Sequence, residues 1–233
     1  MSTPTPNPHK QLAIDIAGVS YLRIPLRTHL ITDQDNIFNV VDTYTKAVRQ
    51  LGDIIFVSER AVAITQGRAF PIADIHPSRL ATFLSRRVYR SPYGIGLGSP
   101  WTMELAIREA GLPRIFLGMV AALVTKPFGI RGMFYRVVGN NINAIDGPCD
   151  YTLPPYNKYA KLGPKDPQAV ARSLAQALGI EVVIVDANDL GVAILGKSTS
   201  AISDEFAKQA FRDNPLGQTN EQTPLCLVRR AGV

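Results

Sequence analysis

Leu51-Gly-Asp-Ile-Ile-Phe-Val-Ser-Glu-Arg-Ala-Val-Ala-Ile-Thr-Gln-Gly-Arg68 is the stretch whose reading decides the fold class. Ile54 to Val57 is short and wholly apolar, the pattern of a strand buried on both faces; Ala61 to Ile64 reads as a second such run, ended by Gln66-Gly67. Upstream, Val19 to Ile31 alternates polar and apolar side chains, predicting one or two strands around Pro25. Asp33-Gln-Asp-Asn36 then supplies a helix N-cap, and Ile37, Val40, Val41, Tyr44, Val48 and Leu51 recur at helical spacing until Gly52. Downstream, Pro77-Ser78 opens a helix running to about Arg90. Another spans Thr102 to Ala110, ends at Gly111, and is barred from continuing by Pro113. The apolar run Ile115 to Val124 reads as a buried element, and Phe134 to Val138 as a strand. Asp166-Pro167 starts a helix that Gly179 stops, Val182 to Val185 and Val192 to Leu195 read as strands, Ser203 to Phe211 as a helix, and Leu225 to Val228 as the last strand. Strands and helices in this irregular alternation predict an α/β protein with a mixed sheet and α+β character.

Of the 233 residues, 46% are hydrophobic and 19% charged, enough apolar side chain for a sizeable core and the opposite of a disordered chain. No apolar stretch approaches the ~18 residues of a membrane helix, so no membrane partner is expected. Residues 1–10 are polar, carry three prolines and lack the pattern of a signal peptide; they read as a flexible tail of a cytoplasmic protein. Residues 11–233 read as a single domain, with 148–167 as an inserted loop punctuated by Pro154-Pro155 and Pro164. Two cysteines and three histidines, none at ligand spacing, exclude a disulfide framework and argue against a zinc site or a histidine triad.

Charge is unevenly distributed. Residues 60–136 hold eleven basic and three acidic side chains, whereas the segments on either side are each net −1. A basic middle third suits a small anionic partner. It does not make a nucleic-acid module, because no interleaved arginine and aromatic platform or known motif accompanies it.

Two patterns could carry phosphate chemistry. Gly191-Val-Ala-Ile-Leu-Gly-Lys-Ser198 fits GxxxxGK[ST], yet its four central residues favour strand pairing over an anion nest, and no helix starts after Ser198. The match reads as accidental. The glycines of Ser91 to Pro100 likewise do not form a dinucleotide fingerprint, since Ser99 stands where the third glycine belongs. Stronger candidates are the acidic clusters Asp146 with Asp150, and Asp186 with Asn188 and Asp189, the second following the strand Val182 to Val185. Carboxylates at strand ends are where α/β enzymes seat ligands, and two or three such oxygens suit Mg²⁺ or Mn²⁺ shared with phosphates. Asp-Gly and Asn-Asp also form turns for purely structural reasons. Cys149, between Asp146 and Asp150, reads as a turn cysteine.

These residues carry a resemblance to the coenzyme F-420:L-glutamate ligase (F-420-0 gamma-glutamyl ligase) family. It rests on Ile24-Pro25 before the Asp33-Gln-Asp helix start, on the Leu51 to Arg68 block, on Asn143-Ala-Ile-Asp146 and Val182-Val-Ile-Val-Asp186, on Ala201-Ile-Ser-Asp-Glu-Phe-Ala207, and on Leu216-Gly-Gln218 followed by Thr223-Pro224. The segments occur in family order from about residue 20 onward.

The resemblance implies a fold of two merged subdomains pairing as an intertwined homodimer. It implies GTP as phosphoryl donor, Mg²⁺ or Mn²⁺, and an acyl phosphate that the amine of glutamate or another amino acid displaces to form an amide. By position, Asp146 matches a metal-binding aspartate, and the second metal aspartate falls on Asp186 or on Asn188-Asp189. Gly217 and Gln218 fall in the late nucleotide and metal segment, and Ile24, Pro25, Ser58, Glu59 and Arg60 in early nucleotide-contacting segments. The chain departs from the family pattern at three places. Cys149 replaces an asparagine, Ile64 replaces a lysine, and an Arg-Pro-Trp-Arg-Glu-Gly stretch is missing because Leu190-Gly191 runs directly into Val192. The alternative to a ligase is a non-catalytic nucleotide- or anion-binding regulator that retains the fold.

Overall fold

The computed structural model describes residues 4–88, 96–130, 132–139, 142–188, 191–217 and 219–232. The chain forms two compact units, one from Met1–Gln66 with Pro164–Val233 and the other from Gly67–Gly163.

The first unit is built on six strands, β1 (Ala13–Ile16), β2 (Val19–Leu26), β3 (Ile54–Ser58), β6 (Glu181–Asn188), β7 (Gly191–Lys197) and β8 (Leu225–Arg230), in the order β1-β2-β8-β3-β6-β7. β8 runs antiparallel to both β2 and β3, and β3 runs parallel to β6. β2, β3 and β6 therefore point the same way and finish at one edge of a mixed sheet. Each face of the sheet is buried. On one, Phe56, Val183, Val185 and Cys226 pack against Ala207 and Ala210 of α8 (Asp204–Ala210), with Phe211 stacked on Phe56 at 4.2 Å between ring centroids. The other carries Ile55, Val57, Val182 and Ile184, and α2 (Glu59–Thr65) and α7 (Pro167–Leu178) pack on β6. α1 (Ile37–Thr45) is capped by Asn36, whose side chain accepts from the Phe38 and Asn39 N–H groups. Two ion pairs tie the sheet to its surroundings. Arg229 holds Asp53 through two bonds of 2.7 Å, and fully buried Arg23 pairs with Asp213.

The second unit contains a two-stranded antiparallel sheet of β4 (Ala69–Pro71) and β5 (Tyr159–Lys161), with α3 (Arg79–Ser85), α4 (Pro100–Ala110), α5 (Leu112–Thr125) and α6 (Met133–Val138). Its core includes Ile75, Leu97, Met103, Ile115, Ile142 and Ala160. Ser78 and Ser99 cap α3 and α4 by accepting from the Ala81 and Thr102 N–H groups.

The mixed α/β class expected from the sequence is observed, with corrections. Ala61 to Ile64 lies in helix α2, not in a strand. All four residues are buried, so no polar face exposes the helical period, and four residues are too few to show it. Phe134 to Val138 lies in helix α6, where Phe134 and Val138 close on Gly118 of α5; the packing overrides a strand-like composition. α4 ends at Ala110 before Gly111, as expected, and Pro113 sits in the first turn of the next helix, α5, where a missing N–H costs no bond. The Ile115–Val124 run is helical but not a buried element, since within α5 only Ile115 and Gly118 are buried. α1 ends at Thr45, leaving Leu51 fully exposed. α3 ends at Ser85, while the expected end near Arg90 and most of the Ser91 to Pro100 loop lie outside the described residues. β2 ends at Leu26, so His29 sits in the following loop, clasped by Asp35 and Tyr44 at 2.9 Å each.

Candidate functional site

Main-chain bonds gather three chain segments at the carboxyl edge of the first unit's sheet. Pro25 and Leu26 pair with Cys226 and Leu225, and Val57 pairs with Leu225 from the other side. Beyond the ladders, the Ser58 N–H donates to the Pro224 carbonyl at 2.8 Å. Thr28 and Gln222 bond reciprocally. The Thr28 N–H donates to the Gln222 carbonyl at 3.1 Å, and Gln222 Nε2 donates to the Thr28 carbonyl at 2.8 Å. The described residues from Gln222 to Pro224 are thus stitched to the ends of β2 and β3, and, with Gly217 held through Asn214, the expected residues Ile24, Pro25, Ser58 and Gly217 lie at one end of the unit.

Further hydrogen bonds hold the described residues Asn214, Leu216, Gly217 and Thr223. Thr223 Oγ1 donates to the Leu216 carbonyl at 2.6 Å, and Asn214 Nδ2 donates to the Gly217 carbonyl at 2.9 Å. Gly217 has φ +78°, and a Cβ there would lie 2.5 Å from the Glu221 side chain, so the backbone conformation and the close carboxylate both require glycine. Asn214 is fully buried, and its Oδ1 has no hydrogen-bond partner among the described residues. Thr28, Asn214 and Gln222 were not anticipated from the sequence. Thr28 and Gln222 bond to each other across 194 positions, which no local pattern announces, and Asn214 acts through a local bond to the Gly217 carbonyl.

Glu59 opens α2 in a buried position, and Arg60 beside it is half-buried. Asp186 does not follow its strand, as the sequence suggested. β6 continues to Asn188, and Asp186 pairs with Ala193 inside the β6–β7 hairpin. Strand alternation puts it on the face of Val182 and Ile184. It is half-buried, and its carboxylate has no hydrogen bond or ion pair among the described residues. Asp189 and Gln218 lie outside the described residues.

Asp146 belongs to the second unit. Its backbone bridges Lys161, with N–H to carbonyl distances of 3.0 and 2.9 Å, and its Oδ1 accepts from the Gly147 N–H at 3.0 Å. Lys161 is buried, and its ammonium donates to the Ala144 carbonyl at 3.1 Å. Among the described residues, no group of three or more His, Cys, Asp or Glu side chains is arranged to hold a metal ion. Asp146 and Asp186 are hard oxygen donors with partly exposed carboxylates. Such donors fit a magnesium-like cation that takes one or two protein carboxylates and fills its remaining positions with phosphate and water.

Electrostatics near this edge are set by local pairs. Burial pushes the Asp35 carboxyl up, but hydrogen bonds from the Thr32 N–H, His29 and the Thr32 hydroxyl outweigh it and hold the group below its ordinary value. Two arginines of the basic middle third are already engaged, Arg68 with Glu109 at 2.7 Å and Arg108 with Glu104 at 3.1 Å. The GxxxxGK[ST] match is strand β7, not a phosphate loop. Lys197 donates to the Ile202 carbonyl and pairs with Asp204.

In mixed α/β folds ligands commonly bind beyond the carboxyl ends of the strands, the edge at which Pro25, Ser58 and Asp186 lie. The sequence profile described as F420-0:Gamma-glutamyl ligase matches residues 25–223, most of the chain, and the protein belongs to that family. Its reaction class is therefore consistent with amide ligation. A search of curated proteins returns no match. No described helix is long and apolar enough to cross a membrane.

Proposed function

We propose that the protein joins glutamate, or another amino acid, to a carboxylate through an acyl phosphate made with GTP. The observation that carries the reading is the stitched edge of the first unit. Pro25, Ser58 and Gly217 share one end of the sheet, and the Asp186 carboxylate on β6 has no hydrogen bond or ion pair among the described residues. On this reading the backbone around Ile24, Pro25, Ser58 and Gly217 contacts the nucleotide, with Glu59, Arg60 and Gln218 completing its surroundings. In the first unit Asp186, with Asp189 and Gln218, is the candidate holder of Mg²⁺ or Mn²⁺, and in the second unit Asp146 is the candidate metal ligand. A bound divalent cation would draw off charge from the phosphates during transfer. The chain's own contribution is positional. Ser58 is fixed by Pro224, and Gly217 by Asn214 and Glu221, so the nucleotide meets a surface that needs no reordering. The acceptor amine then attacks the acyl carbon and phosphate leaves, restoring the enzyme. We further propose that the active form is a cytoplasmic homodimer.

The test is calorimetric titration of GTP with Mn²⁺ into the protein and into Asp146→Asn and Asp186→Asn. The expected result is binding to the parent and loss of metal-dependent affinity in both variants, with circular dichroism unchanged. Undiminished affinity in both would remove these carboxylates from the reading. A second reading, nucleotide binding without turnover, is favoured by the β6–β7 hairpin. With only residues 189 and 190 between the strands, no room is left for an arginine-bearing segment there. Phosphate release that depends on an added amino acid would exclude it.

A further inference from the structure

Residues 7–12 are tied to the first unit through a short turn. The Lys10 N–H donates to the Asn7 carbonyl at 3.0 Å, the Arg23 N–H to the Leu12 carbonyl at 2.7 Å, and the Arg23 guanidinium to the Gln11 carbonyl at 2.6 Å. Held so, half-buried Asn7 reaches the part of the chain that carries Gly217. Its side-chain amide donates to the Pro215 carbonyl and to Thr223 Oγ1, at 2.8 Å each. Pro215 and Thr223 are buried and stand on either side of Gly217 in the chain. One side chain thus closes the base of the segment between them.

The two bonds use both N–H donors that an amide side chain owns, and no other group of this shape supplies them. Thr223 Oγ1 gives its single proton to the Leu216 carbonyl at 2.6 Å, so toward residue 7 it can only accept, as can the Pro215 carbonyl. Aspartate, with the same outline, would bring acceptors alone. A hydroxyl that accepts one bond donates the next more strongly, so Asn7 also strengthens the Leu216 contact beside Gly217. Pro6 and Pro8 flank Asn7. Their fixed φ, and the limits Pro8 sets on the residue before it, reduce the entropy lost in ordering this stretch. Asn7 precedes residues 25–223, the part matched by the family profile, so no family correspondence assigns it a role.

We propose that Asn7 is a positioning residue for the ligand edge of the first unit, setting the Gly217 backbone in its binding conformation before the ligand arrives. Only the identity of the ligand rests on the nucleotide reading; the clasp itself is observed. Breaking it removes no ligand contact. It adds an ordering step to binding, and the apparent affinity falls with the fraction of molecules still closed.

Hydrogen exchange read by mass spectrometry, and calorimetric titration of GTP with Mn²⁺, test this on the full chain with Asn7→Ala, the isosteric Asn7→Asp and Thr223→Val. Peptides covering residues 212–224 should exchange at least about tenfold faster in each variant, the worth of one or two ordinary hydrogen bonds. GTP affinity should fall about five- to tenfold. Affinities are compared where circular dichroism shows every variant folded, so a general loss of stability cannot imitate the effect. Asn7→Ala added to Thr223→Val should cost less than the two single losses multiplied, because the two side chains share a bond. Should Asn7→Ala fail to fold, Asn7→Ser, which keeps one donor, replaces it. Unchanged exchange in both Asn7 variants would overturn the clasp. Faster exchange with unaltered GTP affinity would make Asn7 a structural tie and overturn the positioning role, as would an affinity loss confined to Asn7→Asp, which is charge repulsion of phosphate. A parent that binds no GTP sinks the nucleotide reading instead, and Asn7 is then judged by exchange alone.

Discussion

Gly196→Ala tests the reading of Gly191 to Ser198 as a strand. A Cβ at Gly196 would stand 2.3 Å from the Pro167 carbonyl oxygen and 2.7 Å from the Gln168 nitrogen, both backbone atoms at the start of α7. Ordinary contact begins near 3.4 Å, so the N-terminus of α7 would have to retreat by roughly 1 Å. Overpacking of this kind costs about 1–3 kcal/mol. The retreat also strains the reciprocal bonds between Gln168 and Lys197, at 2.5 and 3.2 Å, for about 1 kcal/mol more. A total of about 2–4 kcal/mol lowers Tm by roughly 5–15 °C in a chain of this size, read by scanning calorimetry. Lys197→Ala is the companion. Its ammonium serves the Ile202 carbonyl and Asp204, so GTP affinity should stay within twofold of the parent. If Gly196→Ala leaves Tm unmoved while Lys197→Ala lowers nucleotide affinity a hundredfold, the segment is a phosphate loop and the strand argument fails.

Other expectations follow from single contacts. Gly217→Ala places a side chain at φ +78° against Glu221, and should weaken GTP binding at least tenfold by calorimetry while costing about 1–2 kcal/mol of stability. Asp53→Ala leaves the Arg229 guanidinium, only 21% exposed, facing an empty site; about 3–5 kcal/mol of stability should be lost in urea titration. Burial pushes the Asp213 carboxyl up, but hydrogen bonding and charge from Arg23 overcome this and hold it below its ordinary value near 3.8. The unfolded chain then binds the proton more readily. The pair's stabilisation is complete above that ordinary value and disappears as pH falls below it. Asp213→Asn should lower the urea midpoint at about pH 7 and differ progressively less from the parent toward about pH 3; a constant gap would refute the assignment.

Much of the first unit was legible because its signals are local. Ile54 to Val57 and Val182 to Val185 are apolar throughout and bounded by polar residues, Asn36 and Ser203 are caps of ordinary type, and Gly179 ends α7 in the left-handed conformation. The unread parts fail for identifiable reasons. α2 is buried on every side and so shows no period. β4 and β5 have three residues each, below the length at which alternation can be counted. α5 misled because apolar composition was equated with burial, whereas only Ile115 and Gly118 of the helix are buried. At the candidate site, Pro25, Ser58 and Gly217 were reached through family resemblance, whereas the pairing of Thr28 with Gln222 that fixes their setting joins residues far apart in sequence.

The second unit is a continuous piece, residues 67–163, set into a first unit made from two pieces, and this orders the events of synthesis. When Gly163 leaves the ribosome the inserted unit has all its elements, and its ends are clipped together by Arg68, whose Nε reaches the Gly163 carbonyl at 2.6 Å. β2 and β3 wait longer. The strand that separates them, β8, begins only at Leu225, well after the insert is made. Until then their apolar edges stay unpaired, so a chain stalled before β8 emerges would present a finished insert and an open half-sheet, the form in which aggregation or chaperone capture should concentrate.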